Sequence, residues 1–195
     1  MEIVELGKSA RDAAIATLSA AFSNDPAICW LFPDPRTRAR RLPLLMGWTF
    51  DDHLTNGLVL GTTDAGAVTL WRPPGTVHRH DALTPPVILK FLRIFGTAIV
   101  RAERIDRAIG MHILPGEELF YLRMAAVRPE QQGKGLGGKT IRAGLAHSAR
   151  AGKRPVLETA TASNVGLYQR LGYEVVEEWD VSRAGPHFWT MAHPR

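Results

Sequence analysis

The chain has one cysteine, Cys29, among its 195 residues. That excludes an internal disulfide framework and fits a reducing cytoplasm. No stretch of 18 apolar residues exists, so no membrane-spanning helix is predicted. The most apolar segment, 87–100, carries Lys90 and Arg93 and reads as a packed amphipathic helix. The start, Met1-Glu2-Ile3-Val4-Glu5, lacks the basic stretch and apolar run of a secretory leader. Clustered metal ligands are also scarce. His78-Arg79-His80-Asp81 has no companion cysteine, histidine or carboxylate set and reads as a solvated loop. Cys29, beside Trp30, has no neighbouring base and reads as a buried structural thiol.

With 45% hydrophobic and 22% charged residues, the composition is that of an ordinary globular protein. The length suits one domain, expected to span 1–195 with a helical insert at about 76–115. The formal charge is +5. Arg36, Arg38, Arg40 and Arg41 form the densest basic run, without the interleaved aromatics that stack bases. They read as a solvated helix face, and neither a nucleic acid nor a membrane is expected as partner. A basic surface also steers ligands that carry several phosphates.

Local patterns predict a short strand at 2–6 and a helix at 13–22 behind a Ser9/Asp12 capping box. Asn24-Asp25-Pro26 breaks that helix. Asp34-Pro35 opens a second helix, which Asn56-Gly57 ends. Strands at 58–60 and 67–71 flank a hairpin turn at Asp64-Ala65-Gly66. Apolar spacing predicts a helix over 86–109. A strand at 118–127 and a helix from Gly135 to Arg150 follow. Next come a strand at 155–159, a short helix at 164–171 stopped by Gly172, and strands at 173–176 and 188–191. The order implies an α+β fold, a mixed sheet with helices on both faces.

Residues 133–140 read GKGLGGKT, which fits two phosphate-binding patterns. Gly133 to Thr140 match the nucleoside-triphosphate P-loop, G-x-x-x-x-G-K-[ST]. Gln132, Gly135 and Gly137 match [QR]-x-x-G-x-[GA], the pyrophosphate loop of acetyl-coenzyme A enzymes. Both rely on glycines that let the backbone approach phosphate and on a helix N-terminus aimed at it. Context favours the second pattern. A P-loop leaves its strand directly, whereas Arg128-Pro129-Glu130-Gln131-Gln132 separates Val127 from Gly133. The chain after Thr140 also shows no strand-end aspartate for a metal and is short for a P-loop sheet. A glycine-rich turn that binds nothing is the third reading.

The run from Val127 to Gly137, followed by Asn164-Val165-Gly166-Leu167-Tyr168-Gln169-Arg170-Leu171-Gly172-Tyr173, resembles the two signatures of the GNAT superfamily of N-acetyltransferases. The likeness covers about 118–176. A weaker one covers Ala21–Pro26, Trp30–Pro35 and Trp71–Gly75. The resemblance implies a mostly antiparallel sheet with helices on both faces, splayed between the strand ending at Val127 and strand 155–160. It implies acetyl-CoA as acyl donor and a small-molecule or peptide amine as acceptor. The pantetheine arm would pair in the opening like a missing strand. An amide near Ala126 or Val127 would polarise the thioester carbonyl. The loop of Gln132, Gly133, Lys134, Gly135, Leu136, Gly137 and Gly138 would hold the pyrophosphate, with Gln132 bracing it. Asn164 would bond the cofactor arm or cap its helix. Tyr168 would be the general acid, or else a core aromatic packed on Leu171.

For the general base, Glu117, Glu118, Glu158 and His112 are all candidates. The acceptor would lie between the glycine loop and the insert 76–115. Trp48, Trp71 and Trp189 could serve the core, an acceptor pocket or a homodimer contact. Two competing functions remain at this stage: a P-loop kinase or NTPase, and a non-catalytic acyl-CoA sensor.

Overall fold

The computed structural model of the chain describes residues 1–76, 84–114 and 118–194. The His78–Asp81 motif and Glu117 lie outside them. The described residues build one seven-stranded sheet from β1 (Ile3–Glu5), β2 (Leu58–Thr62), β3 (Ala67–Arg72), β4 (Leu119–Val127), β5 (Arg154–Thr159), β6 (Glu174–Asp180) and β7 (His187–Ala192). The spatial order is β1-β2-β3-β4-β5-β7-β6, and every pairing is antiparallel except β4 with β5. A parallel pair needs a crossover, and α6 (Leu136–Ala151) supplies it.

One face of the sheet is covered by α6 and α7 (Ala162–Gln169), around Trp71, Phe120, Leu122, Ile141, Leu157 and Met191. The other is covered by α1 (Arg11–Phe22), α3 (Pro35–Asn56), α4 (Pro85–Phe95) and α5 (Ile99–His112). This is the predicted layering. Where α6 crosses β3 it does so at Gly144, whose missing Cβ would sit 2.1 Å from the Trp71 ring. Trp71 is fully buried and donates its indole N–H to Thr69 at 3.0 Å, so it has nowhere to retreat. Gly144→Val is expected to lower stability by about 2–3 kcal/mol. In a chain of this size that is a fall of roughly 5–10 °C in melting temperature, readable by calorimetry.

Several boundaries differ from the sequence reading. The Ser9/Asp12 capping box does not form: a short 3-10 turn precedes α1, with no side-chain cap. Arg11 instead clamps Asp51 of α3 with two hydrogen bonds, at 2.7 and 2.8 Å. Asp25-Pro26 ends one helix but also opens another, α2 (Pro26–Leu31), where the Asp25 carboxylate accepts from the amides of Ala27 and Ile28 at 3.0 and 3.1 Å. Asp34 caps α3 through Thr37 as expected.

The helix predicted over 86–109 is two, broken at Gly96 (φ 49°). Arg41 donates to the Phe95 carbonyl at that break. The apolar repeat runs on across it because both helices face the same cavity. Arg38 is likewise tied down, at 2.8 Å from the Phe32 carbonyl, so only Arg36 and Arg40 of the basic run are solvated. Strand β6 reaches Asp180, further than its sequence indicates, because an exposed edge strand tolerates Glu177, Glu178 and Asp180. Cys29 is half-buried, its thiol 3.8 Å from the Ser23 carbonyl.

Candidate active site

The glycine loop joins β4 to α6 in the form its sequence predicts. The Gln132 side chain donates to the Val127 carbonyl at 3.1 Å and so ties the loop to the strand end. Lys134 donates to the Glu130 carbonyl, also at 3.1 Å. Gly133 and Gly135 are left-handed (φ 76° and 74°), and the space a Cβ would enter at each is open. Gly135 is the N-cap of α6, and no side chain caps the helix. The first amides of α6, at Leu136, Gly137 and Gly138, have no intrahelical acceptor and end in an open cradle suited to an anion.

The P-loop reading fails on this geometry. Gly138, Lys139 and Thr140 lie inside α6. The Thr140 side chain is fully buried, and its hydroxyl donates to the Leu136 carbonyl at 2.9 Å. It is not placed to ligate a nucleotide-bound metal.

Strands β4 and β5 run side by side only from Leu119–Arg154 to Leu122–Leu157. Beyond that pair they part, and the β5-facing main-chain groups of 123–127 have no strand to bond. Ala126 and Val127 stay paired with Val68 and Ala67 of β3 on the other side. Opposite the opening is a cavity of about 840 Å³ between the sheet and α2–α5. Its walls are largely apolar and include Phe22, Trp48, Phe91, Phe95 and Met124. Trp48 packs edge-on to Phe91 and Phe95, at 5.0 and 6.4 Å between centroids. Of the three tryptophans singled out, Trp48 lines the cavity, Trp71 is core and Trp189 is partly buried against the α6–α7 side.

Tyr168 and Asn164 both line this cavity from α7. Asn164 is not the helix cap: Thr161 holds that position, and Asn164 is the third residue inside α7. Tyr168 is both buried and on the cavity wall. Gly172 (φ 89°) ends the α7 turn, and the Leu171 and Tyr173 amides return to the Tyr168 carbonyl at 2.9 and 3.1 Å. The Tyr173 ring then packs edge-on to that of Tyr168, at 6.0 Å. This local closure explains the Y-x-x-x-G-[FY] spacing. Burial, with Asp25 nearby, pushes the Tyr168 phenol up to about 12. It stays protonated across the working range.

Of the four candidate bases, Glu158 alone lines the cavity among the described residues. Its carboxylate oxygens are shielded and have no hydrogen-bond partner. Burial pushes the group up to about 7, against the opposing pull of the Tyr121 hydroxyl and the Arg123 guanidinium. Glu118 is exposed and paired with Lys153. His112 stacks on Trp179 at 4.4 Å and pairs with Glu177 at 2.9 Å.

Several groups at the site escape the sequence reading. Arg123 and Tyr121 project from β4. Asp52 and Arg72 form an ion pair on the wall. His53 accompanies them, fully buried, its Nδ1–H donating to the Thr49 carbonyl at 2.7 Å and its Nε2 without a partner. Desolvation lowers the His53 imidazole to about 4, so it is neutral. The Asp52-His53 pair inside a helix and the isolated Arg123 in a strand carry no local signal of a shared cavity.

Residues 94–175 match the family model described as the acetyltransferase (GNAT) domain. Among solved structures, the fold resembles that of a histone acetyltransferase and related acetyltransferase from Corynebacterium glutamicum, with a TM-score of 0.74 at 20% identity over 98% of this chain and 94% of that one. Arylalkylamine N-acetyltransferase 2 from Aedes aegypti follows at a TM-score of 0.66 and 15% identity, over 98% and 97% of the two chains. The polyamine N-acetyltransferase of Drosophila melanogaster gives 0.59 and 13%, over 98% and 99%. At these identities the structural likeness speaks for the fold alone. Residues 94–175 are thus similar to the acetyltransferase (GNAT) domain, and the chain resembles solved acetyltransferases in fold over almost its whole length.

Proposed function

We propose that the protein is an acetyl-CoA-dependent N-acetyltransferase that acts by direct attack of an acceptor amine in a ternary complex. The observation that carries this is one opening shared by three features. These are a glycine cradle beside the parted strands, a phenol on α7 and a shielded carboxylate on β5. Gln132, Gly133, Lys134, Gly135, Leu136, Gly137 and Gly138 are the cradle for the pyrophosphate, with the bare amides of α6 as its donors. The unpaired edge of β4 near Ala126 and Val127 receives the pantetheine amides, and an amide there stabilises the oxyanion. Asn164 bonds the arm from α7.

When bound, acetyl-CoA supplies an activated acyl group as a thioester. Glu158 takes the proton that the acceptor ammonium must lose, directly or through water. The nitrogen–carbon bond forms as the carbon–sulfur bond breaks. Tyr168 gives a proton to the departing sulfur, the acylated nitrogen sheds its second proton to the resulting tyrosinate directly or through water, and Glu158 releases its proton to solvent. The acceptor occupies the apolar cavity walled by α2–α5. The single cysteine fits a cytoplasmic setting. No described helix is long and apolar enough to cross a membrane.

Acetyl-CoA is expected to raise the melting temperature, adding about 4 kcal/mol at a thousandfold excess over its Kd. Coenzyme A release with an amine panel tests turnover. ATP–magnesium stabilising the protein where acetyl-CoA does not would overturn the reading. Stabilisation without turnover on any amine would leave an acyl-CoA sensor. The loop assignment is tested by calorimetric binding. Gly135→Val puts a branched side chain at a left-handed position in the cradle and is expected to weaken acetyl-CoA binding by about a hundredfold. Lys139→Ala, inside α6, is expected to cost less than about tenfold. Equal effects would place the phosphates elsewhere.

A further inference from the structure

Arg123 has an unusual position. It is the first residue of β4 beyond the last β4–β5 pair, as Glu158 is on β5. It is also the extra residue of a β-bulge: Leu122 faces Trp71 and Met124 faces Leu70, which leaves Arg123 without a register partner on β3. A bulge at this point re-aims a side chain, here toward the cavity. The guanidinium donates to the Tyr121 hydroxyl at 3.2 Å. Among the described residues no carboxylate lies within ion-pair distance of it. Arg72, on the neighbouring strand, is already matched by Asp52. The other groups near Arg123 are the neutral His53, the Asp106 carboxylate on exposed α5, and Glu158.

A half-buried cation with no carboxylate in ion-pair contact, at a substrate opening, is suited to a ligand anion. Glu158 supplies an anion to a ligand cation at the same opening. The two side chains flank one gap between parted strands, so a ligand meeting both must carry an ammonium and an acid close together. Behind them, Trp48, Phe91 and Phe95 form an apolar wall. Resting on the acetyl-transfer reading above, we propose that the acceptor is an α-amino acid with a bulky apolar side chain, its carboxylate on Arg123 and its amine at Glu158. A simple alkyl or aryl amine leaves Arg123 unanswered. A polyamine sets a second positive charge beside Arg123.

The test compares acceptor pairs that differ only in the carboxylate: L-phenylalanine against 2-phenylethylamine, and L-leucine against 3-methylbutylamine. Wild type is expected to favour the amino acid in kcat/KM by at least about thirtyfold in one pair or both. Arg123→Gln is expected to collapse that ratio, chiefly by lowering the amino-acid value, and Arg123→Lys to restore part of it. A thermal melt reports whether each variant folds. Preference for the plain amine, or a ratio unmoved by Arg123→Gln in a folded variant, overturns the inference and leaves acetyl transfer standing. If nothing is acetylated, calorimetry in the presence of coenzyme A decides. Arg123-dependent binding of an amino acid upholds the site while acetyl transfer falls, and no binding of either amino acid overturns the inference.

Discussion

Tyr168→Phe is expected to lower turnover by about a hundredfold or more, since a positioned general acid contributes at least that. Phenylalanine keeps the ring and its edge-on contact with Tyr173, and removes the only proton the side chain can give. Acetyl-CoA affinity and melting temperature should therefore change little. The loss should shrink with an acyl donor whose thiol is more acidic, because a weakly basic thiolate needs less help. Pre-steady-state kinetics separates this from a change in product release. Near-normal chemistry in the variant would make Tyr168 a core aromatic and leave the cofactor assignment intact.

The second large effect concerns Glu158. With its carboxyl near 7, kcat/KM for an amine should rise with pH through about 7, as the base form accumulates. Glu158→Gln should remove that limb and lower the plateau by about a hundredfold. Stability should move the other way. A carboxyl raised in the folded state is most favourable while protonated. Between its ordinary value of 4.5 and about 7 the unfolded chain releases the proton first, so native stability is lost as pH rises through that window. Glu158→Gln removes that cost. It is expected to stabilise the protein at pH 8 by on the order of 2 kcal/mol and to change little at pH 4.5. Thermal melts at the two pH values check the sign. A variant that loses activity and gains stability at pH 8 separates a functional carboxylate from a structural one, which would lose both. An unchanged pH profile would move the base elsewhere, and Glu117 would return as a candidate.

The local parts of the site were legible because their causes are local. Pro129 stops β4, and Gly133 and Gly135 supply left-handed turns before α6. Gly172 turns the chain after α7 so that Tyr173 meets Tyr168. Each depends on backbone freedom or a missing amide within a few residues, and a sequence displays those directly. The order of strands and helices followed from period and punctuation in the same way. The errors arose where a nonlocal partner won. The Ser9 cap gave way to the Arg11–Asp51 clamp, and one long helix gave way to two at Gly96, where Arg41 meets the Phe95 carbonyl. Of the two readings of Asn164, the cap is the one that falls, because the helix starts two residues earlier and Thr161 stands at the cap position.

By itself the sequence determined the glycine loop, the tyrosine turn and the layered mixed sheet. Only the tertiary structure set Glu158, alone among the candidate bases it describes, on the cavity wall and brought Arg123 to the same opening. It also joined α2–α5 around one cavity. The physical reason is that a pKa, an unmatched charge and a pocket wall are set by what surrounds a group in space. The residues that shield Glu158 and Arg123 come from strands and helices far apart in the chain, and no window of sequence contains them together.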